Sequence, residues 1–479
     1  MPIADATLRP EACAELPPAP ALAPEGVAAA LTARLEQVPA SRWHVRARVI
    51  MGSATFFDAF NALSIAFVLP VLAPLWHITA PQIGLMIAAS YVGQLVGALA
   101  FSWAAERYGR IPCAAAATAI FAVMSLACAV AWSFEVLLAC RLIQGIGVGG
   151  EMPVAAVYIS ELSKARGRGR FFLLYEMIFP VGLMVTGQVA AVLVPLWGWK
   201  TMFLIGGLPG LLIAVLLLRL PESPRWLIGK GRLQEAEAVV AELEAASGKA
   251  ATAAVTGSPA ATLPERAPVA PPPKARGTWS ELLSPTFRGR TLIVWVLWAS
   301  AFLIANSLNN WMPTLYTTVY HLSVAQALRA ASMTNVAQVA LLLLAAMLID
   351  RTGRKQWMMG AFGFGAVLLG VLAFGGAEQL SWVIVLATLS YGLIGSINAV
   401  VYLYTPEIYP TRMRAIGTGV ATSWLRIASA IGPSLIGFML GEGGVSRVFL
   451  MFAGVAMLGL IASTRMIETR NLRLEDIAR

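Results

Sequence analysis

Apolar residues arrive along this chain in runs of about twenty, the length that carries a helix across the hydrocarbon layer of a bilayer. Twelve such runs lie at roughly 49–72, 83–104, 111–131, 135–160, 171–194, 201–220, 291–316, 327–349, 356–376, 380–404, 414–440 and 446–466. The connections between them alternate in character. After spans 2, 4, 6, 8 and 10 come Arg107 and Arg110; a cluster of Lys164, Arg166, Arg168 and Arg170; the long segment 221–290; Arg351, Arg354 and Lys355; and Arg412 with Arg414. The other connections carry little beyond Lys200, Arg329 and Arg447. Lys and Arg accumulate on the cytoplasmic side of a membrane, so this pattern predicts an all-helical, multi-pass protein with both termini cytoplasmic.

The two sets of six spans repeat each other. Glu106-Arg107-Tyr108-Gly109-Arg110 after span 2 returns after span 8 as Asp350-Arg351-Thr352-Gly353-Arg354, at an offset of 244. Glu161, Arg166 and Arg168 after span 4 return as Glu407, Arg412 and Arg414, at an offset of 246. Such parallel repeats predict two pseudo-symmetric bundles around a central cleft, the architecture in which rocking halves alternate access. The expected organisation is a tail at 1–48, a bundle at 49–220, a linker at 221–290, a second bundle at 291–466 and a tail at 467–479. Within the linker, 232–247 reads as a charged helix and 248–275 as an Ala/Pro-rich disordered stretch.

Composition narrows the class. Of 479 residues, 58% are hydrophobic and 13% charged, too few charges to clothe a soluble surface. The net charge of +10 reflects topology rather than a nucleic-acid surface. Cys13, Cys113, Cys128 and Cys140, and the scattered His44, His77 and His321, form no metal or disulfide pattern. Gly145, Gly147 and Gly150 match a dinucleotide-binding fingerprint, but they sit within an apolar run rather than between a strand and a helix. Gly145 and Gly149 share a helix face with Arg141, and small residues on one face let membrane helices approach closely. No nucleophile–base set is present, so no enzyme activity and no bound cofactor is expected.

From residue 41 to its end the chain resembles the major facilitator superfamily, in its sugar-porter and organic-ion branch. Pro221-Glu222-Ser223-Pro224-Arg225-Trp226-Leu227 after span 6 and Glu468-Thr469-Arg470 after span 12 carry that resemblance. Within the branch it is most similar to bacterial niacin-transporter-like and aromatic-acid carriers. The matching stretches are Phe56-Phe57-Asp58-Ala59-Phe60, Gly149-Gly150-Glu151-Met152-Pro153 and Tyr404-Thr405-Pro406-Glu407-Ile408-Tyr409-Pro410. The paired glutamines of sugar porters are missing from span 7, where Asn306-Ser307-Leu308-Asn309-Asn310-Trp311 stands instead. The resemblance implies a monomeric bacterial inner-membrane carrier of a small organic anion, nicotinate-like or another aromatic monocarboxylate, with a proton as the coupling ion. The rival readings are an efflux carrier for organic cations, a sugar porter, and a transporter-like receptor.

Ionisable residues inside spans are costly and mark cavities or proton paths. Five stand out: Asp58, Arg141, Glu151, Glu176 and Arg426. Asp58 on span 1 and Arg141 on span 4 are expected to meet, as proton-coupling partners or as a static ion pair; sugar-porter symporters resemble this arrangement. Glu151 is a second titrating group or a packing acid. Glu176 belongs to substrate, proton path or gate. Arg426 is the one charge buried in the second half, and it calls for a substrate carboxylate or for a bridge to Glu151 or Glu176. Trp311, Tyr316, Asn310, Asn398, Tyr402, Tyr91, Gln94 and Gln188 are candidate cleft-lining groups. Glu106, Arg107, Arg110, Glu161, Arg166, Asp350, Arg351, Arg354, Glu407 and Arg412 are expected to latch the cytoplasmic helix ends together when the carrier faces outward.

Overall fold

The computed structural model describes residues 24–39, 41–162, 177–247, 279–409 and 411–469 as helices and short turns, with no strand among them. Twelve helices are long and apolar enough to cross a membrane. Spans 1 to 6 are Arg42–Leu75, Ala80–Tyr108, Arg110–Ala129, Phe134–Ile159, Ile178–Trp197 and Lys200–Leu217. Spans 7 to 12 are Arg288–Thr318, Val324–Ile349, Arg354–Ala373, Leu380–Glu407, Gly417–Leu440 and Gly444–Thr464. Several run past the apolar stretch that predicts them. Span 1 begins at Arg42 because Ser41 and His44 close its first turn as a reciprocal cap. Span 2 continues to Tyr108, so Glu106 and Arg107 ride on its last turn. Spans 11 and 12 form one helical run broken at Gly444, whose φ of 77° a side-chain-bearing residue rarely adopts.

The repeat reaches further than the two loop motifs. His77 and His321, again 244 apart, hold φ of 51° and 54° in the turns after spans 1 and 7. Each precedes the same helix start. Thr79 and Ser323 donate backbone N–H groups to Gln82 and Gln326 at 2.9 and 3.2 Å, closing capping boxes on spans 2 and 8.

Packing within the first half depends on residues without side chains. A methyl added at Gly93, Gly97, Gly145 or Gly149 would run into the backbone of the facing helix, so spans 2 and 4 lie in near backbone contact. Gly147 and Gly150 face span 3 and Phe101. All three glycines of the nucleotide-like fingerprint are therefore packing residues. Across the halves, span 2 meets span 11, span 5 meets span 8, and span 1 meets span 7. Gly84 lies on Pro433 and Ser434, Gly437 on Ala80 and Pro81, and Gly187 on Ser332. These contacts gather towards the end of the spans remote from Arg107, Arg110, Arg351 and Arg354. The arginine-bearing end is called the basic end below.

A cap covers part of the basic end. The N-terminal helix Pro24–Gln37 packs through Leu31, Leu35 and Val38. Its Arg34 grips Glu244 of the linker helix Leu233–Ala246 with two parallel bonds, 3.0 and 2.7 Å long. Those bonds hold the Arg34 guanidinium above its ordinary pKa. Trp43 donates its indole N–H to Glu242 at 3.0 Å, so the linker helix is tied to the start of span 1.

Gly149→Ala is expected to push span 2 from span 4 and to lower stability by about 1–3 kcal/mol. Gly370→Ala, where nothing stands within 4 Å of the added methyl, is expected to be neutral or better. Thermal melting of the two purified variants in detergent checks both.

Candidate functional site

Three charged groups from both halves converge near mid-span. Asp58 on span 1 is 1% exposed and Glu151 on span 4 is fully buried. Thr55, one turn before Asp58, donates its hydroxyl to Glu151 Oε1 at 2.9 Å. Arg426 on span 11 completes the group: the charges acting on Asp58 are those of Glu151 and Arg426. Tyr402 on span 10 acts on Arg426 in the same way. Asp58 Oδ1 and Arg426 Nε are enclosed and find no hydrogen-bond partner among the described residues. Arg426 makes one weak hydrogen bond there, from Nη1 to the Thr422 carbonyl of its own helix at 3.4 Å. No carboxylate lies within ion-pair distance of it among the described residues.

Arg141 does not join this group, and the expected Asp58–Arg141 pair is not formed. Its Nη1 donates to the Asn61 carbonyl at 2.9 Å and to Gln144 Oε1 at 2.6 Å; Nη2 reaches the Ala62 carbonyl at 3.3 Å. Gln144 in turn donates to Asn61 Oδ1 at 3.0 Å, and Asn61 donates to the Phe57 and Gly206 carbonyls. The side chain is thus spent on backbone oxygens one turn beyond Asp58. Depth along the spans, with Arg141 shallower from the opposite side but long enough to reach inward, allowed the pair to meet but could not tell which side of span 1 each would face. Asn61 and Gln144, which that reading passed over, are what hold Arg141 there.

Nearer the end opposite the basic one, polar side chains link the halves. Asn310 on span 7 donates to the Tyr91 hydroxyl of span 2 at 3.1 Å. Within the second half, Asn306 donates to Ser429 of span 11 at 2.5 Å. Gln94, Gln188, Asn398 and Tyr402 are partly buried; Gln188 Nε2 and Asn398 Oδ1 have no hydrogen-bond partner among the described residues. Tyr402 stands edge-on to Trp298, ring centroids 4.6 Å apart. Trp311 and Tyr316 are corrections. Trp311 is buried with its indole N–H on the Pro433 carbonyl at 3.1 Å, which makes it a span 7–span 11 packing group. Tyr316 is buried against Tyr320 near the end of span 7. Glu176 and Arg166, and the side chains of Asp350 and Arg412, lie outside the described residues.

At the basic end a cavity of about 560 Å³ opens beside spans 1 and 5, lined by Val45, Arg48, Val49, Gly52, Ser53, Phe56, Phe57, Met177, Ile178 and Val181. The charged turns here bind within each half. Arg110 bridges Glu161 at 3.0 Å and Glu106 at 2.9 Å. Its counterpart Arg354 bridges Glu407 at 3.4 Å. Arg107 instead lies over the Trp103 and Tyr108 rings, and Arg351 is exposed. Among the described residues no ion pair crosses between the halves at this end, as fits halves parted on that side.

A second acid pair repairs each turn. Glu222 accepts the Ile111 N–H at 3.2 Å, and Glu468 accepts those of Arg354 and Lys355 at 3.0 and 3.1 Å. Each carboxylate therefore meets the positive N-terminus of the helix that opens span 3 or span 9. Gly109 and Gly353, at φ of 110° and 89°, leave the room that a side chain would take from that acid. Glu222 and Glu468 are 246 apart, the spacing of Glu161 and Glu407, so the repeat could have found them.

Among the described residues, twelve spans in two equivalent sets, meeting closely at one end around buried charges near mid-span, have the form of a membrane carrier. The chain belongs to the sugar (and other) transporter family of the major facilitator superfamily, whose sequence pattern matches residues 38–479. It is 31% identical over 455 residues to the niacin transporter NiaP of Acinetobacter baylyi, covering 93% of this chain and 99% of that one. It is 30% identical over 427 residues to the 4-hydroxybenzoate transporter PcaK of Pseudomonas aeruginosa, covering 88% of each. The partially occluded inward-open structure of the xylose transporter XylE from E. coli superposes with a TM-score of 0.67 at 20% identity, over 90% of this chain and all of that one.

Glu222→Gln and Glu468→Gln each remove a charge from a helix N-terminus and are expected to lower stability by about 1–2 kcal/mol. Being in separate halves, the two losses should add in the double variant. Chemical denaturation of the single and double variants measures this.

Proposed function

We propose that the protein is a proton-coupled carrier that takes a small aromatic monocarboxylate, such as nicotinate, into the cell across a bacterial inner membrane by alternating access. The basic end and both termini face the cytoplasm, as the distribution of Lys and Arg favours. The observation that carries the reading is Arg426: a guanidinium at mid-span with one weak bond to its own helix and no carboxylate in ion-pair distance among the described residues. A cation so placed is suited to grip a substrate carboxylate with two parallel hydrogen bonds. Tyr402 beside it offers a ring face to an aromatic substrate. The niacin and 4-hydroxybenzoate transporters among the relatives carry substrates with both features, a carboxylate and an aromatic ring.

Coupling follows from charge balance. With the site empty, Asp58 is the described carboxylate whose charge reaches Arg426. When a substrate carboxylate takes the guanidinium, Asp58 loses its counter-charge while Glu151 remains beside it. Adding a proton to this acid pair restores the balance, so anion and proton load together. Arg141, already committed to carbonyl oxygens, holds span 1 and span 4 in register rather than taking part in the exchange. Glu106, Arg110, Glu161, Arg354 and Glu407 gate the cytoplasmic end by rearranging from these bonds within halves.

Arg426→Ala is expected to cut nicotinate affinity at least tenfold, with Arg426→Lys in between. Binding of labelled nicotinate to purified protein, alongside uptake into proteoliposomes, tests this; unchanged binding by the alanine variant would remove Arg426 from the site. Asp58→Asn is expected to lose accumulation driven by a pH gradient while retaining exchange of internal for external substrate. Full gradient-driven accumulation in that variant would place the coupling proton elsewhere.

A further inference from the structure

The transport cycle above makes no use of the cap at the basic end, yet the cap is bonded to the residues that gate that end. Its two longer helices, Pro24–Gln37 and Leu233–Ala246, have 14 residues each. Helices of that length are marginal in water by themselves, so each depends on what it packs against. The linker helix carries four glutamates and no Lys or Arg. Its Glu244 is 5% exposed, and a carboxylate so buried is costly without a cation beside it. Arg34 supplies that cation: Nε and Nη2 grip Glu244, while Nη1 lies 3.7 Å from Glu237. The N-terminal helix therefore neutralises the linker helix as well as covering it.

From this junction the contacts run inward to the gate. Leu31 joins Trp226, Leu227 and Ala236 in one buried cluster, over the short helix Pro224–Gly229. Leu35 and Val38 join Val240 and Leu243 in another, which continues into Ile111 and Tyr158 of the first half. Beneath Leu31 the Trp226 indole N–H donates to the Glu106 carbonyl at 3.1 Å, and Arg225 Nε donates to the Glu161 carbonyl at 3.0 Å. Glu106 and Glu161 are the two acids that hold Arg110. Arg34 thus fixes the linker helix, Leu31 covers Trp226, and Trp226 with Arg225 pins the backbone that presents both acids. Each of these contacts joins the cap to the first half. A docked cap favours the conformation in which its own bonds are made, the one with Glu106 and Glu161 kept on Arg110 and away from the second half. The cap is itself the two-state element, a pair of short helices that dock and are released together.

We propose that the N-terminal helix Pro24–Gln37 is a regulatory clasp. Docked on the linker helix through Arg34, it biases the carrier towards the state open at the basic end; released, it lets that end close. This rests on the gating role given above to Glu106, Arg110 and Glu161.

Two measurements on the full-length protein in lipid nanodiscs separate the docking from its effect. Hydrogen–deuterium exchange reads the docking: Arg34→Ala is expected to raise exchange over 24–37 and 233–246 by about tenfold or more, with spans 8 to 10 unchanged. Maleimide labelling reads the gate, at the thiol introduced by Ser53→Cys in the basic-end cavity, with Cys13, Cys113, Cys128 and Cys140 replaced by alanine. In Arg34→Ala that labelling is expected to slow about threefold or more, because the end spends more of its time closed. Should Arg34→Ala fail to fold, Leu31→Ala loosens the same junction without stranding a buried acid and gives the same pair of readings. Exchange unchanged in every folded variant overturns the docking role of the N-terminal helix. Exchange raised with labelling unchanged or faster overturns the clasp, since a merely structural cap loosens without closing the cavity. Arg110→Gln distinguishes the two layers: labelling that responds to it but not to Arg34→Ala sinks the clasp alone, and labelling indifferent to both sinks the gating role as well.

Discussion

A guanidinium cannot rest in hydrocarbon: it needs water, an anion, or several carbonyl oxygens. Two arginines at mid-span meet that demand in different ways, and the contrast organises the molecule. Arg141 is sealed inside the first half and bonded to the Asn61 and Ala62 carbonyls and to Gln144. Its Nε finds no partner among the described residues, but both terminal nitrogens are bonded within that half, which makes it a structural cation. Arg426 lies where the halves face each other, and among the described residues Asp58 is the carboxylate whose charge reaches it from the other half. Its own half offers one distant carbonyl. A cation with so few partners among the described residues is what the proposed anion site rests on.

The ends of the spans serve that centre. At the basic end every strong contact among the described residues is made within a half: Arg110 with Glu161, Arg354 with Glu407, and Glu222 and Glu468 on the starts of spans 3 and 9. Each half is thereby a stiff body at the side where the two stand apart. At the other end the contacts cross over, and they are close because Gly84, Gly187 and Gly437 carry no side chain. Stiff halves joined by close but largely non-ionic contacts can rock without breaking a costly buried ion pair, which is the mechanical condition for alternating access.

The sequence disclosed much of this because the constraints were local or repeated. Spans follow from apolar length, and the two-fold relation from Arg107-Tyr108-Gly109-Arg110 against Arg351-Thr352-Gly353-Arg354. Offsets of 244 and 246 carry His77 to His321 and Glu222 to Glu468, and could have paired those residues too. The packing role of Gly145 and Gly149 was legible from their four-residue spacing. What stayed hidden was rotation about the helix axis. Asp58 and Arg141 have compatible depths, yet depth fixes one coordinate and the facing direction fixes the contact. Trp311 failed for the same reason: its ring lies in the seam between spans 7 and 11.

In the proposed cycle, the placement of Asp58 also changes how coupling works. If its counter-charge were Arg141, both partners would sit in one half, and rocking would leave their separation almost unchanged. With Arg426 as the opposing cation, the two charges belong to different bodies, one on span 1 and one on span 11. Any movement that parts the halves then changes the electrostatic energy of the acid directly, with no relay through intervening side chains. A substrate carboxylate inserted between them does the same by screening. In the proposed cycle, conformation and substrate act on the same acid through one gap, and proton and anion are coupled by that geometry rather than by a dedicated wire. The cost is that the gap must stay narrow enough for the charges to sense each other at about the depth of Arg426. The close glycine contacts between spans 2 and 11 and between spans 5 and 8 hold it to that width.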